Sequence, residues 1–448
     1  MAFKGVLYLY IALLASVSLL SYRKGLYLVW LTLLLFPLVI LQTGIKLHLS
    51  LMAVLMLGSV ISELRFSESR SIYSGFVHNN LRAILLFGLV SLCVAFMSQT
   101  VPLGTQLRIV LNEFIAFSFA LQTFLLLKRD ANAANTLLYI ICGVVIFNAI
   151  YCTFFELYLR FNPAGAPLYL ALGIYDEEYM VDAVESERGG LDLRAQTVYG
   201  HPLSLGQYLL VLLPLFLMKS KVWLKSLYVV IITVLVVLSG TRGAMAPMAL
   251  VLLLGYKDAF KKVLARFPLV LLAVVISFSF LSDRTVKKMS KEVEPYIASL
   301  QFWDDQKQKE NDIQGSSMEM RIDQFEAAQE EIADNPVFGR GYGYREYWQN
   351  KHNTFHPDLL GYESVLIYYL VERGWLGLLF FFAMAFYIYK LFRKETSNGL
   401  FIKLIFLGWI LSIVMTGVRP LTLLFVCLAG SIVCGVNKLD SHSVVENR

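Results

Sequence analysis

Charge is scarce in this chain. Only 16% of its 448 residues are Asp, Glu, Lys or Arg, while 57% are hydrophobic; a soluble domain carries about 25% charged residues. The shortfall excludes a string of soluble domains and points to an integral membrane protein. Cysteine is also sparse. Cys93, Cys142, Cys152, Cys427 and Cys434 all fall in apolar stretches, and none has CxxC or other metal-ligand spacing. They read as small core residues, not as a disulfide framework. The six histidines include no HExxH pair, and no Walker sequence, internal repeat or low-complexity tract is present. No metal and no cofactor are expected. The net charge of +6 fits basic cytoplasmic loops and gives no reason to expect a nucleic-acid partner. The first apolar run, 5–20, lacks a small-residue cleavage site and is soon followed by another, so it reads as a membrane helix and not as a cleaved signal.

Long hydrophobic runs dominate. Candidate spans lie near 4–21, 25–43, 48–63, 83–98, 108–127, 136–160, 204–219, 222–239, 243–256, 266–282, 375–393, 401–418 and 421–437. Continuous apolar runs of this kind form α-helices, because backbone in lipid must satisfy its own hydrogen bonds. The expected fold is an all-α polytopic bundle of 12–13 transmembrane helices with one large external loop subdomain. Lys and Arg cluster in every second loop, at Arg23-Lys24, Arg65 and Arg70, Lys128-Arg129, Lys219–Lys225, Lys257–Lys262 and Lys390–Lys403. By the positive-inside rule these loops are cytoplasmic. Thirteen spans put the N-terminus outside and the C-terminus inside. The expected divisions are N-terminal helices 1–160, an external loop 161–203, central helices 204–283, a large external loop 284–374, and C-terminal helices with a short tail 375–448. The large loop holds an amphipathic helix, 319–333, ended by "DNPVFGRGYGY" at 334–344. No charge is expected at mid-membrane depth.

Arginines gather on the external side against the usual bias. Arg188, Arg194, Arg242, Arg321, Arg340 and Arg419 all fall there. Arginine suits a desolvated phosphate, being always charged and offering a planar fork of donors. The plainer alternative is that each snorkels to headgroups or pairs with a loop carboxylate. Arg242 stands out, in a turn of about three residues between two spans, with Gly240 and Gly243 beside it. "GRGYGY" reads as a tight turn, with a phosphate cradle of backbone amides as the alternative. His201-Pro202 suits the start of a helix. His352, His356 and Glu363, just ahead of membrane re-entry, are alternative candidates for a general base, or else solvated loop groups.

Four pieces occur in order: "RAQTVYGHPLSLGQYLLVLLPLFL" (194–217), "LSGTRGA" (238–244), "MRIDQFEAAQEEIADNPVFGRGYGY" (320–344) and "YESVLIYYLVERGWLGLLFFF" (362–382). Over these roughly 190 residues the chain resembles the O-antigen ligase/O-antigen polymerase superfamily, the multi-spanning enzymes that build bacterial surface polysaccharide. The family pattern has a His-Pro-Asn-like helix start, Ser-Gly-Ser/Thr-Arg-Gly, an arginine-led helix running into Asn-Pro-x-x-Gly-x-Gly, and a His-Asn-like segment before Glu-x-Gly-x-x-Gly. This chain departs at the last His, where Glu363-Ser364 stands.

The resemblance implies a metal-independent, inverting membrane glycosyltransferase at the outer face of the bacterial inner membrane. The donor would be a glycan on polyprenyl (undecaprenyl) diphosphate. The acceptor would be the hydroxyl of a glycan or lipid-linked glycan. Arg242 and Arg321 would hold the diphosphate, with Arg194, Arg340 and Arg188 as helpers, and Glu363, His352 or His356 would be the base. Membrane lipid, a chain-length regulator and other polysaccharide-assembly proteins are the further partners implied. The missing His favours a polymerase of O-antigen, capsule or exopolysaccharide repeats over a ligase attaching glycan to lipid A core in lipopolysaccharide. A flippase of lipid-linked oligosaccharide is the alternative from another class. It would show charges through the bundle and broken helices in two related halves.

Overall fold

The computed structural model describes residues 2–35, 52–53, 55, 67–154, 195–199, 201–218, 221–257, 318–354, 356–359, 362, 364–396, 399–417 and 421–446. The described chain is helical, with no sheet among the described residues. In order the helices are α1 (Ala2–Leu20), α2 (Tyr22–Leu35), α3 (Ser67–Met97), α4 (Leu103–Arg129), α5 (Ala131–Tyr151), α6 (Pro202–Leu217), α7 (Val222–Leu238), α8 (Arg242–Gly255), α9 (Met318–Glu331), α10 (Tyr344–His352), α11 (Val365–Lys394), α12 (Leu400–Thr416) and α13 (Thr422–Glu446). A single 3-10 turn, Thr197–Tyr199, precedes α6.

Four stretches are long and apolar enough to cross a membrane: Val77–Met97, Leu103–Arg129, Ala131–Phe154 and Val365–Lys394. Shorter apolar helices accompany them in α1, α6, α7, α8, α12 and α13. This is the all-α polytopic membrane protein that the apolar runs predict. The expected span 266–282 and most of 48–63 lie outside the described residues.

Burial shows how the bundle is layered. In α6 every residue from Ser204 to Leu217 is buried, so it is the central helix, with α7, α8, α12 and α13 around it. A helix apolar on every side belongs inside a bundle. α13 joins the two halves by packing on α4, α5 and α6. α3 is the contrast: Leu81, Leu85, Leu89, Leu92 and Phe96 are exposed along it, as suits a helix facing lipid.

The basic residues read as cytoplasmic meet at one end of the bundle. Lys128, near the end of α4, pairs with Glu395 just past α11 at 2.8 Å, and Arg23 pairs with Asp130. Asp130 also caps α5, accepting from the amides of Asn132 and Ala133, where a carboxylate complements the helix dipole.

At the other end a small second core forms. Ala328 and Ile332 of the α9 region pack with Val101, Tyr344, Leu359, Tyr362, Ile367, Leu370 and Val371. α9 thus lays its inner face, Gln324–Ala328–Ile332, toward the first part of α11, while Ile322 stays outside. The spacing of four residues is one helical stripe. α11 holds one difference from the sequence reading. The apolar stretch before Val371 and the span from Trp375 are one helical element, broken at Gly374 (φ 61°, ψ −169°).

Candidate functional site

The turn carrying Arg242 is built from three helix ends. α7 stops at Ser239, and Gly240 turns the chain with φ 59°. Thr241, in extended conformation, precedes α8, and Arg242 is the first residue of that helix. Thr241 Oγ1 donates to the Pro202 carbonyl at 3.1 Å, which ties the turn to the start of α6. His201 caps α6, its Nδ1 accepting from Leu203 N at 3.1 Å, so the capping role and not a base role is what its Nδ1 performs. Ala195 N donates to Leu238 O at 2.9 Å, bringing the end of the first external loop to the same place. Arg242 is partly buried and engaged with a neighbour. Its charge adds to the positive end of the α8 dipole, an arrangement suited to an anion.

The glycine-rich loop after α9 is a clasp. Arg340 N donates to Val371 O at 2.8 Å and Gly341 N to Glu372 O at 2.9 Å, while Trp375 N and Leu376 N return bonds to Pro336 O and Val337 O at 3.0 and 3.1 Å. The break at Gly374 frees these groups of α11, and the loop satisfies them. Gly339 (φ 69°) and Gly374 meet face to face; a Cβ on Gly339 would lie 2.6 Å from both Gly374 N and Val371 O. Tyr342 N donates to Gln106 Oε1 at 3.1 Å, and Gln106 Nε2 donates to Ser98 O and Val101 O. Ser98 Oγ and Asn335 Nδ2 complete the bond set through Phe338 O and Met97 O. The amides of Gly339, Arg340, Gly341 and Tyr342 all have protein acceptors. The phosphate-cradle alternative therefore fails at these four amides, and the tight turn holds.

Beneath the clasp lies an ion pair that the sequence reading missed. Arg373 binds the Glu113 carboxylate of α4 through both terminal nitrogens, Nη1 to Oε2 at 3.2 Å. Its guanidinium is stacked between Tyr342 and Tyr369, 4.3 and 4.2 Å from the ring centres. Glu113 stands about ten residues into α4, roughly 15 Å along its axis. The expectation of no charge at membrane depth is thus corrected. A lone Glu in the apolar run 108–127 was the available signal, since an ionisable group in a span needs a partner. Neighbouring Glu372, 1% exposed, faces the amides of Gly343 and Arg345 and the Tyr368 hydroxyl.

Glu331 is the hub of α9, α10 and the segment that follows them. It accepts from Tyr344 Oη at 2.6 Å, pairs with Arg340 Nε at 3.0 Å, and faces His356 Nε2 at 3.4 Å. Burial and this bond hold the Tyr344 phenol well above its ordinary pKa, so it remains a donor. Arg340 also pairs with Asp334 at 3.4 Å. His356 Nδ1 accepts from Asp358 N and Leu359 N, so the proton sits on Nε2 and points at Glu331. Both its nitrogens are occupied. His352 differs. It is exposed, and its Nδ1 lies 3.1 Å from the Trp348 carbonyl. A carbonyl only accepts, so this bond puts the proton on Nδ1 and leaves Nε2 a free acceptor. Trp348 packs between the two imidazoles, 4.0 and 4.4 Å from their centres.

Arg321 sits in the first turn of α9, partly buried and with a partner. Arg188, Arg194 and Glu363 lie outside the described residues. Among the described residues no group of His, Cys, Asp and Glu is arranged to hold a metal ion.

Residues 227–382 match the family model described as O-antigen ligase. That match makes this part of the chain similar to the O-antigen ligase family. The matched region runs from α7 into α11. It therefore holds the Arg242 turn, Arg321, the clasp and Arg373, and it leaves out α6 with its His201 cap and the helices before it. No curated protein and no solved structure matches the chain. The match supports an O-antigen ligase/polymerase-type function in a membrane.

Proposed function

We propose that the protein is a glycosyltransferase of the inner membrane. It takes a glycan from polyprenyl diphosphate and joins it to an acceptor sugar hydroxyl at the external face, with inversion and without a metal. One observation carries this reading: a single family match, 227–382, contains Arg242, Arg321 and Arg340 together with the external helices that carry the histidines. The leaving group is a diphosphate, already a good one. The main catalytic demand is to stabilise its charge as the glycosidic bond breaks. Arg242 at the head of α8 and Arg321 supply that, with Arg188 and Arg194 as further helpers. Arg340 contributes less, because two carboxylates already neutralise it.

The second demand is a base for the acceptor hydroxyl. Glu363 and His352 are the stronger candidates. His356 holds its tautomer through three neighbours and serves better as a support for Glu331. Polymerisation of repeat units is the preferred outcome, because Glu363-Ser364 stands where a ligase keeps its His-Asn. The ligase reading has its own support in the printed description of the matching family.

The buried Glu113–Arg373 pair does not turn the chain into a flippase. A translocation path needs charges open to cargo, whereas Arg373 is neutralised, stacked by two rings and 8% exposed. The test is direct. Purified protein in nanodiscs is given a polyprenyl-diphosphate-linked repeat unit, and products are sized. Longer glycan with release of polyprenyl diphosphate supports the reading; donor that stays intact while crossing the bilayer overturns it.

A further inference from the structure

Gln207 is fully buried in the second turn of α6, a helix whose other side chains are apolar apart from Ser204 and the Tyr208 hydroxyl. Its amide is nevertheless fully used. Nε2 donates to Thr416 Oγ1 at 2.9 Å and to Gly417 O at 2.8 Å, and Oε1 accepts from Thr422 Oγ1 at 3.2 Å. One side chain thus joins the end of α12, the residue that turns away from it, and the start of α13. Buried networks of this kind fix a unique arrangement when every member is satisfied.

The network continues to the arginine turn. Thr416 also donates to Ser412 O at 2.8 Å, which orients its side chain. Its methyl and hydroxyl then lie against Gly243, so closely that no Cβ fits there. Gly243 is the residue after Arg242. One turn of α6 away, the Pro202 carbonyl receives the Thr241 hydroxyl. Arg242 is therefore bracketed on both sides, by Thr241 bonded to Pro202 and by Gly243 seated on Thr416. Gln207 is the group that sets Thr416 and α6 in register.

We infer that Gln207 is a positioning residue for Arg242, acting through Thr416 and Gly243 without touching substrate. This rests on the reading that Arg242 holds the donor diphosphate. It also gives the "HPLSLGQ" stretch a purpose: Pro202 anchors the turn directly and Gln207 anchors its other flank. Removing the amide leaves the buried Gly417 carbonyl without this donor and the Thr416 hydroxyl without the contact that sets it. The end of α12 then shifts, and α8 shifts with it. Displacements of about 1 Å at a positioned charge cost up to about 100-fold in function.

The experiment measures binding of undecaprenyl diphosphate to the full chain in nanodiscs, with the melting temperature of each variant recorded in parallel. Wild type, R242A, R242K, Q207L, T416V and the double variant Q207L/R242K are compared. Q207L is expected to weaken binding about tenfold and T416V about threefold, in protein that still melts cooperatively. In the R242K background Q207L should add less than about twofold, because it acts through the arginine. The inference is overturned if Q207L and T416V bind within twofold of wild type while R242A is impaired. It is also overturned if Q207L costs the same with Lys at 242 as with Arg, which would mark a general packing defect. If Q207L does not fold, T416V decides between these outcomes. Unchanged binding in R242A would sink the donor-binding reading itself, and the inference with it, a result distinct from the other two.

Discussion

Two arginines and two histidines look alike in the sequence and differ in their surroundings. Arg340 is spoken for by Glu331 and Asp334, while Arg242 leads a helix whose dipole reinforces its charge. Replacing Arg242 by alanine should lower transfer by about 100-fold or more, the usual loss when a donor to a developing anion is removed. Glycan length in a cell complemented with the variant reads this out, with membrane insertion checked by immunoblot. The histidines separate more sharply. His352 keeps an exposed Nε2 acceptor, and H352Q should cut turnover about 100-fold if it is the base, with the melting temperature unmoved. H356Q should do the reverse. It removes a partner of partly buried Glu331 and a ring packed on Trp348, costing about 1–3 kcal/mol of stability with turnover per folded molecule retained. A pair of melting curves beside a pair of progress curves distinguishes the two.

At the scale of elements, the clasp shows what a sequence can reveal. That "GRGYGY" is a turn after an amphipathic helix was legible from Asn-Pro and the glycine spacing. That it grips the break in α11 was not, because hydrogen bonds between residues 336–341 and 371–376 leave no periodic trace. The same holds for Glu113 and Arg373, which sit 260 positions apart. Each looked like an isolated charge, and only packing makes them a pair. G374A should therefore be severe: its positive φ and its contact with the Val337 backbone leave no room for a methyl, at a cost of about 3 kcal/mol from strain and displaced packing. R373M should cost about 3–5 kcal/mol by stranding Glu113, whereas the double variant E113Q/R373M should recover part of that loss. Unfolding in a detergent titration measures both. Equal losses in the single and double variants would show that Glu113 is not stranded by the change and that the pair is not coupled.

The whole molecule divides its labour along the membrane normal. One end ties Arg23, Lys128, Asp130 and Glu395 together. The other holds the arginine turn, tied to Pro202 and Thr416, and the clasp and Glu331 hub around a core of their own. Apolar runs and loop charges made this division legible, because bilayer thickness and the cost of buried charge act on every residue of a span. The acceptor was not legible, because it is chosen by the shape of an external surface that no local pattern encodes. The departure at Glu363-Ser364 is the one residue-level sign, and it predicts a difference between two products. Offered the same undecaprenyl-diphosphate-linked donor, the protein should elongate a second lipid-linked repeat unit at least about tenfold faster than it glycosylates lipid A core, a difference of about 1.4 kcal/mol in transition-state binding. Competition of both acceptors in one nanodisc reaction, with products separated by gel, reads the ratio without needing either absolute rate. A ratio favouring lipid A core would make the chain a ligase with a substituted base. His352 would then be the group to examine, because it is exposed and its free Nε2 can accept the acceptor's proton.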